Sequence, residues 1–259
     1  MQAPRNTPDK DDTPVGRILT RREAVLLLGA AGACGVLGVS GCGNGSDARG
    51  TNRGDGSLDC AVKPELTEGP YYVDEGLTRA DIRPDSSSGK LQAGIPMALT
   101  FNVSRIQSSA CTPLAGAIVD VWHCNALGVY SDVRDPGFNT VGQNWLRGNQ
   151  TTDDGGVATF TTIVPGWYQG RATHIHFKVR SPAGGGSAYE FTSQLFFPEN
   201  FLSGIYTCRA PYTEKGDAGR LRNDGDRIYS QGGSQLLLEP ESSGEGYTAT
   251  FKLGIHTEA

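Results

Sequence analysis

The sequence has no CxxC pair, no run of basic residues, no internal repeat and no long amphipathic helical pattern. Each absence removes a class. Without CxxC spacing, a zinc ribbon or a thioredoxin-type redox site has no support. Without a basic run, nucleic acid is not an expected partner. Long apolar runs are scarce too. The one uncharged apolar stretch near the start, residues 24–39, is too short and glycine-rich for a membrane span but suits the core of an export signal.

What surrounds that stretch supports export. Arg21-Arg22 precedes it as a twin arginine, the mark of export in the folded state. Val39-Ser40-Gly41-Cys42 follows it and is similar to a bacterial lipobox, in which Cys42 would carry lipid and anchor the chain to a membrane surface. An ordinary cleaved signal with an incidental cysteine is the alternative. Residues 43–57 hold glycine, asparagine, serine and mixed charges with no apolar period, and read as a flexible tether. The expected organisation is therefore a signal segment at 1–41, a tether at 42–57 and one domain at 58–259, exported and lipid-anchored. Beyond residue 41 there are 18 basic and 24 acidic residues, a formal charge of −6. Cys60, Cys111, Cys124 and Cys208 remain, and in an oxidising compartment four cysteines suggest two disulfides with three possible connectivities.

From residue 58 the pattern is β. Met97, Leu99, Phe101 and Val103 alternate with small or polar residues within a strand expected at 95–106. Further strands are expected at 117–123, at 156–163 after an Asp153-Asp-Gly-Gly turn, and at 174–179, 188–197, 235–238 and 247–255. Such a meander of short strands predicts an all-β fold, a β-sandwich with a Greek-key-like core. Residues 134–148 and 200–228 read as long surface excursions, and loops of that length in a compact domain are often functional.

One nine-residue segment concentrates chemistry: Tyr168-Gln-Gly-Arg171-Ala-Thr-His174-Ile-His176. Residues two apart on a strand share a face, so His174 and His176 can offer two imidazoles to one point. Tyr168 follows a Pro165-Gly166 turn at the entrance to that strand, with Arg171 beside it. A second phenol, Tyr130, stands where the chain leaves the 117–123 strand and turns at Gly128. A phenol titrates near pKa ~10 in water, so phenolate ligation requires a strong Lewis acid. Ferric iron, with oxygen donors and imidazole support, meets that demand.

Five motifs occur in order: Thr67-Glu-Gly-Pro-Tyr-Tyr72, Asp120-Val-Trp-His-Cys-Asn-Ala-x-Gly-x-Tyr130-Ser, Thr162-Ile-x-Pro-Gly-x-Tyr168, Arg171-x-x-His174-Ile-His176-Phe and Thr192-Ser-Gln194-Leu-Phe-Phe. Together, over residues 65–197, they resemble the intradiol ring-cleavage dioxygenases. The resemblance implies one non-haem Fe(III) per chain, held by Tyr130, Tyr168, His174 and His176, and a reaction of a catecholic substrate with O2 to a muconate-type diacid. It implies that Tyr168 is released when substrate chelates the iron, that Arg171 faces the substrate ring, and that Gln194 supports Arg171. Thr67, Gly69, Pro70 and Tyr71 resemble the family's pocket-lining segment, although a proline-fixed turn explains them as well.

Two departures stand out. Only five residues separate Tyr168 from His174, where many relatives carry longer insertions, which should leave the site open to larger ring substituents. No helical segment is expected between tether and core, so a dimer built on such a helix is not expected either. Trp122 reads as core, His123 as structural on the opposite face, and His256 as surface. A trihydroxybenzene or fused-ring catechol as substrate, and a non-catalytic β-sandwich binding module, remain as alternatives.

Overall fold

Alternation of apolar and polar side chains shapes the longest strand, β1 (Pro96–Gln107), whose Met97, Leu99, Phe101 and Val103 are buried while their neighbours are not. The computed structural model describes residues 61–107, 110–182 and 188–257. The expected signal, lipobox, tether and Cys60 lie outside the described residues.

β11 (Gly246–His256) runs parallel to β1 along one edge, from Met97↔Tyr247 to Ile106↔His256. On the other edge β7 (Val157–Ile163) pairs with the first half of β1 and β2 (Ala110–Pro113) with the second. β10 (Glu241–Ser243) completes this sheet beside β11. The second sheet has the order β6 (Arg147–Thr151), β3 (Ile118–Trp122), β8 (His174–Arg180), β9 (Glu190–Phe196). β4 (Arg134–Asp135) and β5 (Phe138–Asn139) form a small ribbon within the 134–148 excursion.

The core lies between the two sheets. Phe177 of β8 meets Phe101 and Phe251 of the first sheet at ring-centroid distances of 5.2 and 5.5 Å. Ile175, Phe177 and Val179 therefore face the core, and the period of two sends His174, His176 and Lys178 to the outer face. Those outer residues are buried as well, because loops cover that face. The β-sandwich expectation holds.

Several local expectations do not. Residues 200–228 contain α1 (Glu199–Cys208), followed by single 3-10 turns at Tyr212–Glu214 and Asn223–Gly225. α1 starts after Pro198 and buries Leu202, Ile205 and Tyr206, a one-face spacing diluted in the sequence by Ser203, Gly204 and Thr207. The strand expected at 235–238 is largely a 3-10 turn, Gly233–Leu236, with one bridge from Leu237 to Phe196. Two disulfides among four cysteines do not form. Cys111 is disulfide-bonded, but Cys124 is a buried free thiol whose Sγ donates to the Gly166 carbonyl at 3.5 Å, and Cys208 is an exposed free thiol.

Candidate metal centre

Strand register builds the floor of the site. Directly opposed residues share a face, and Arg147↔Trp122, Trp122↔His176 and His176↔Gln194 are such pairs. Arg147, Trp122, His176 and Gln194 thus form one row across all four strands. The indole of Trp122 stacks on the His176 ring at 5.0 Å with planes 5° apart. Trp122 is buried, and its role is to back a candidate ligand.

The two imidazoles converge: His174 Nε2 and His176 Nε2 are 2.9 Å apart. His174 Nδ1 lies 2.6 Å from the Ala172 carbonyl, which can only accept. Nδ1 therefore carries the proton and Nε2 presents its lone pair to the site, the tautomer a metal needs. Burial, followed by the nearby Arg171 cation, lowers the His174 pKa to about 3. Burial and the neighbouring His174 drive His176 well below its ordinary value. Both rings are neutral at physiological pH.

The phenols stand over this pair. Tyr168 Oη is 3.3 Å from His174 Nε2, and the Tyr130 ring is 5.8 Å from that of Tyr168 and 6.3 Å from that of His176. His174, His176 and Tyr130 are 2%, 1% and 1% exposed, whereas Tyr168 is half-buried and is the one that solvent can reach. Among the described residues no three His, Cys, Asp or Glu side chains gather as a metal-binding group. An ion at the two histidines would have the phenol oxygen of Tyr168 beside it. Two neutral imidazoles, that of His174 with its Nε2 lone pair aimed at the site, and two phenols suit a hard, oxidised cation, so the residues present fit Fe(III).

Arg171 lies beside this centre, 3% exposed. Its Nη2 donates to Gln194 Oε1 at 2.6 Å, and Gln194 Nε2 donates to the Thr67 carbonyl at 2.7 Å. The Tyr71 ring packs 4.6 Å from Tyr130 and 6.5 Å from Tyr168, and its hydroxyl donates to Asp135 at 2.8 Å. The turn between them places Gly69 at φ 72 and leaves Pro70 exposed. Thr67 and Tyr71 thus touch the expected site, while Gly69 and Pro70 shape the turn that carries Tyr71. His123 is structural: its Nδ1 donates to the Cys124 carbonyl and its Nε2 meets Thr162 Oγ1 at 2.6 Å, within the sandwich. Burial lowers its pKa to about 4. His256 is exposed.

The family model described as Dioxygenase (Dioxygenase_C) matches residues 67–205, more than half of the chain. This chain belongs to the intradiol ring-cleavage dioxygenase family. Catechol 1,2-dioxygenase 2 of Acinetobacter lwoffii is 32% identical over 188 residues, covering 61% of this chain and 62% of that protein. Catechol 1,2-dioxygenase of Candida albicans is 26% identical over 178 residues, covering 60% and 50%. The chain thus spans between half and two thirds of these relatives' length. Among solved structures, the intradiol ring-cleavage dioxygenase from Tetranychus urticae superposes with TM-score 0.61 at 27% identity, covering 76% of this chain and 94% of that one. The dioxygenase domain of a carbohydrate-binding fusion from Streptomyces sp. SirexAA-E gives 0.54 at 26%, covering 76% and 100%.

Other residues of this family member that the sequence reading missed complete the surroundings. Buried Arg147 donates from Nη1 to the Tyr71 carbonyl at 2.6 Å and from Nη2 to the Ser131 carbonyl at 2.7 Å. Burial lowers its pKa, while the adjacent Tyr130 and Glu75 oppose that. Asp226 accepts from Arg171 Nε at 3.0 Å and from the Ala172 amide at 2.6 Å. Lys215 Nζ donates to the Trp167 carbonyl at 2.6 Å and the Leu127 carbonyl at 3.1 Å, joining the loops that carry Tyr168 and Tyr130. Tyr206 and Tyr212 donate to the Pro165 and Val164 carbonyls at 3.0 and 2.6 Å. The excursion after β9 is the backing of the Tyr168 loop. Its length was the only hint of this in the sequence.

Proposed function

We propose that this chain cleaves catecholic rings between the two hydroxyl-bearing carbons, consuming O2 and yielding a muconate-type diacid that keeps both oxygen atoms. One non-haem Fe(III) per chain, held by Tyr130, Tyr168, His174 and His176, would supply Lewis acidity to bind the catechol oxygens as anions. The observation that carries this is the convergence of two phenols on two imidazole nitrogens 2.9 Å apart.

The residues divide the work. Tyr168, the solvent-reachable phenol, gives way to the incoming catechol and takes up its second proton at Oη. Tyr130, His174 and His176, all buried, hold their places. As negative charge passes from oxygen to a ring carbon, the guanidinium of Arg171 offsets it, and Gln194 fixes that guanidinium from one side. Thr67 and Tyr71 form the wall against which the ring lies.

Purified protein carrying iron should show a visible tyrosinate-to-iron band that shifts when catechol is added, together with O2 uptake. Colourless protein that remains inert after iron reconstitution would overturn the reading. A panel of catechol, trihydroxybenzenes and fused-ring catechols, assayed for O2 uptake, would identify the ring. We propose further that the chain is exported and anchored to a membrane surface through lipid on Cys42, on the support of Arg21-Arg22 and the small residues before Cys42. Cys42→Ala should then move the protein from the membrane fraction to the soluble one.

A further inference from the structure

We infer that Asp226 is a positioning residue of the reaction, setting the orientation of Arg171 from outside the span that defines the family match. It lies beyond residue 205, where the matched region ends. Its carboxylate is 1% exposed and every acceptor site on it is in use. Oδ2 takes Arg171 Nε at 3.0 Å and the Ala172 amide at 2.6 Å, while Oδ1 takes the Ile228 and Tyr229 amides at 2.7 and 3.0 Å. The last two bonds lock the carboxylate to its own loop. The first two lock that loop to Arg171 and to the residue entering β8.

The geometry has a mechanical consequence. A long arginine side chain has many rotamers, and a guanidinium that must oppose charge on one carbon needs a single one. Gln194 holds Nη2 and Asp226 holds Nε, so two partners on different elements fix the plane of the group. The chain Asp226–Arg171–Gln194–Thr67 then ties the late excursion to the pocket wall. A surface ion pair could not do this. Asp226 and Arg171 are both buried, so the pair holds one geometry.

This inference rests on the reading that Arg171 faces the substrate, and a double-mutant cycle separates the two. Iron-loaded wild type, Asp226→Asn, Arg171→Leu and the double variant are compared for iron content, visible spectrum, kcat and KM with catechol. The expected result is that Asp226→Asn keeps iron and colour, keeps KM within a few fold, and lowers kcat on the order of tenfold to a hundredfold. In the Arg171→Leu background it should add nothing further, because the group it orients is gone. An equal loss in both backgrounds, or no loss in either, would overturn the proposal. Full activity in Arg171→Leu would instead defeat the role of Arg171 itself. If Asp226→Asn does not fold, Asp226→Glu keeps the charge while displacing the carboxylate by one methylene. Wild-type kcat in that variant would also overturn the proposal. Urea unfolding of the iron-free proteins supplies a readout independent of turnover: the two substitutions should be non-additive in stability.

Discussion

At the scale of single residues, charge and proton position decide what the site can do. Arg171→Leu should retain iron and colour yet lose turnover by about 10²–10³-fold, the magnitude expected when one donor to developing charge is removed. Iron assay, visible spectrum and kcat read this directly, and loss of iron would make Arg171 structural. Tyr168→Phe should keep iron but slow substrate capture in stopped-flow, since the departing group can no longer accept a proton. Away from the site, Asp85 offers a test of pH dependence. The Ser87 hydroxyl, then Ser88 and the Asn144 amide, hold its carboxyl well below the usual range against the opposing effect of burial. A depressed carboxylate contributes stability above its unfolded value of about 3.9 and loses it as pH falls through the folded value. Asp85→Asn should therefore cost about 1–3 kcal/mol at neutral pH, with the gap narrowing only below about pH 4 in urea titrations. Three of the four candidate ligands were legible in the sequence because Tyr168, His174 and His176 lie within nine residues, and the structure brings their side chains together. Asp226 was not legible, since it meets Arg171 across 55 positions in a loop whose many charges read as solvated surface.

At the scale of elements, the phenols depend on two loops packed backbone against backbone. A Cβ at Gly128, where φ is +85, would lie 2.1 Å from the Trp167 carbonyl oxygen. One at Gly166 would lie 2.3 Å from that of Ala126. Gly128→Ala should thus push the Tyr130 and Tyr168 loops apart, lowering stability by about 2 kcal/mol or more and weakening iron binding in chelator competition. Lys215→Met removes both the donor to the two loops and the ammonium that sits 4.3 Å from the Trp167 ring centroid. It should shift the visible band while leaving thermal stability close to wild type. The strands themselves were readable: β1, β3, β7, β8, β9 and β11 follow period-two patterns to within a few residues of where they lie. α1 was not, because its buried face amounts to Leu202, Ile205 and Tyr206, too few to stand out. The row Arg147–Trp122–His176–Gln194 was equally hidden, since register between strands leaves no local trace.

At the scale of the whole molecule, the sandwich was legible as a class but its wiring was not. β1 and β11 come from opposite ends of the described chain and pair in parallel, which no hairpin pattern could announce. The outer face of the second sheet is covered by chain from four distant places: the 67–72 turn, the loop after β3, the loop after β7, and the excursion after β9. The candidate centre is where these segments meet, so iron should act as a structural clasp as well as a reagent. His174 Nε2 and His176 Nε2, 2.9 Å apart, are both buried, with Tyr168 Oη 3.3 Å from the former. An ion that binds this folded arrangement and not the unfolded chain stabilises it in proportion to the logarithm of its excess over Kd, about 2.7 kcal/mol at a hundredfold excess. Reconstitution with Fe(III) should therefore raise Tm by several degrees, and chelation should reverse it. His174→Ala should abolish the increment, whereas Arg171→Leu should preserve it, because of the two only His174 belongs to the proposed ligand set. A Tm indifferent to iron in the wild type would show that the four side chains do not share one ion.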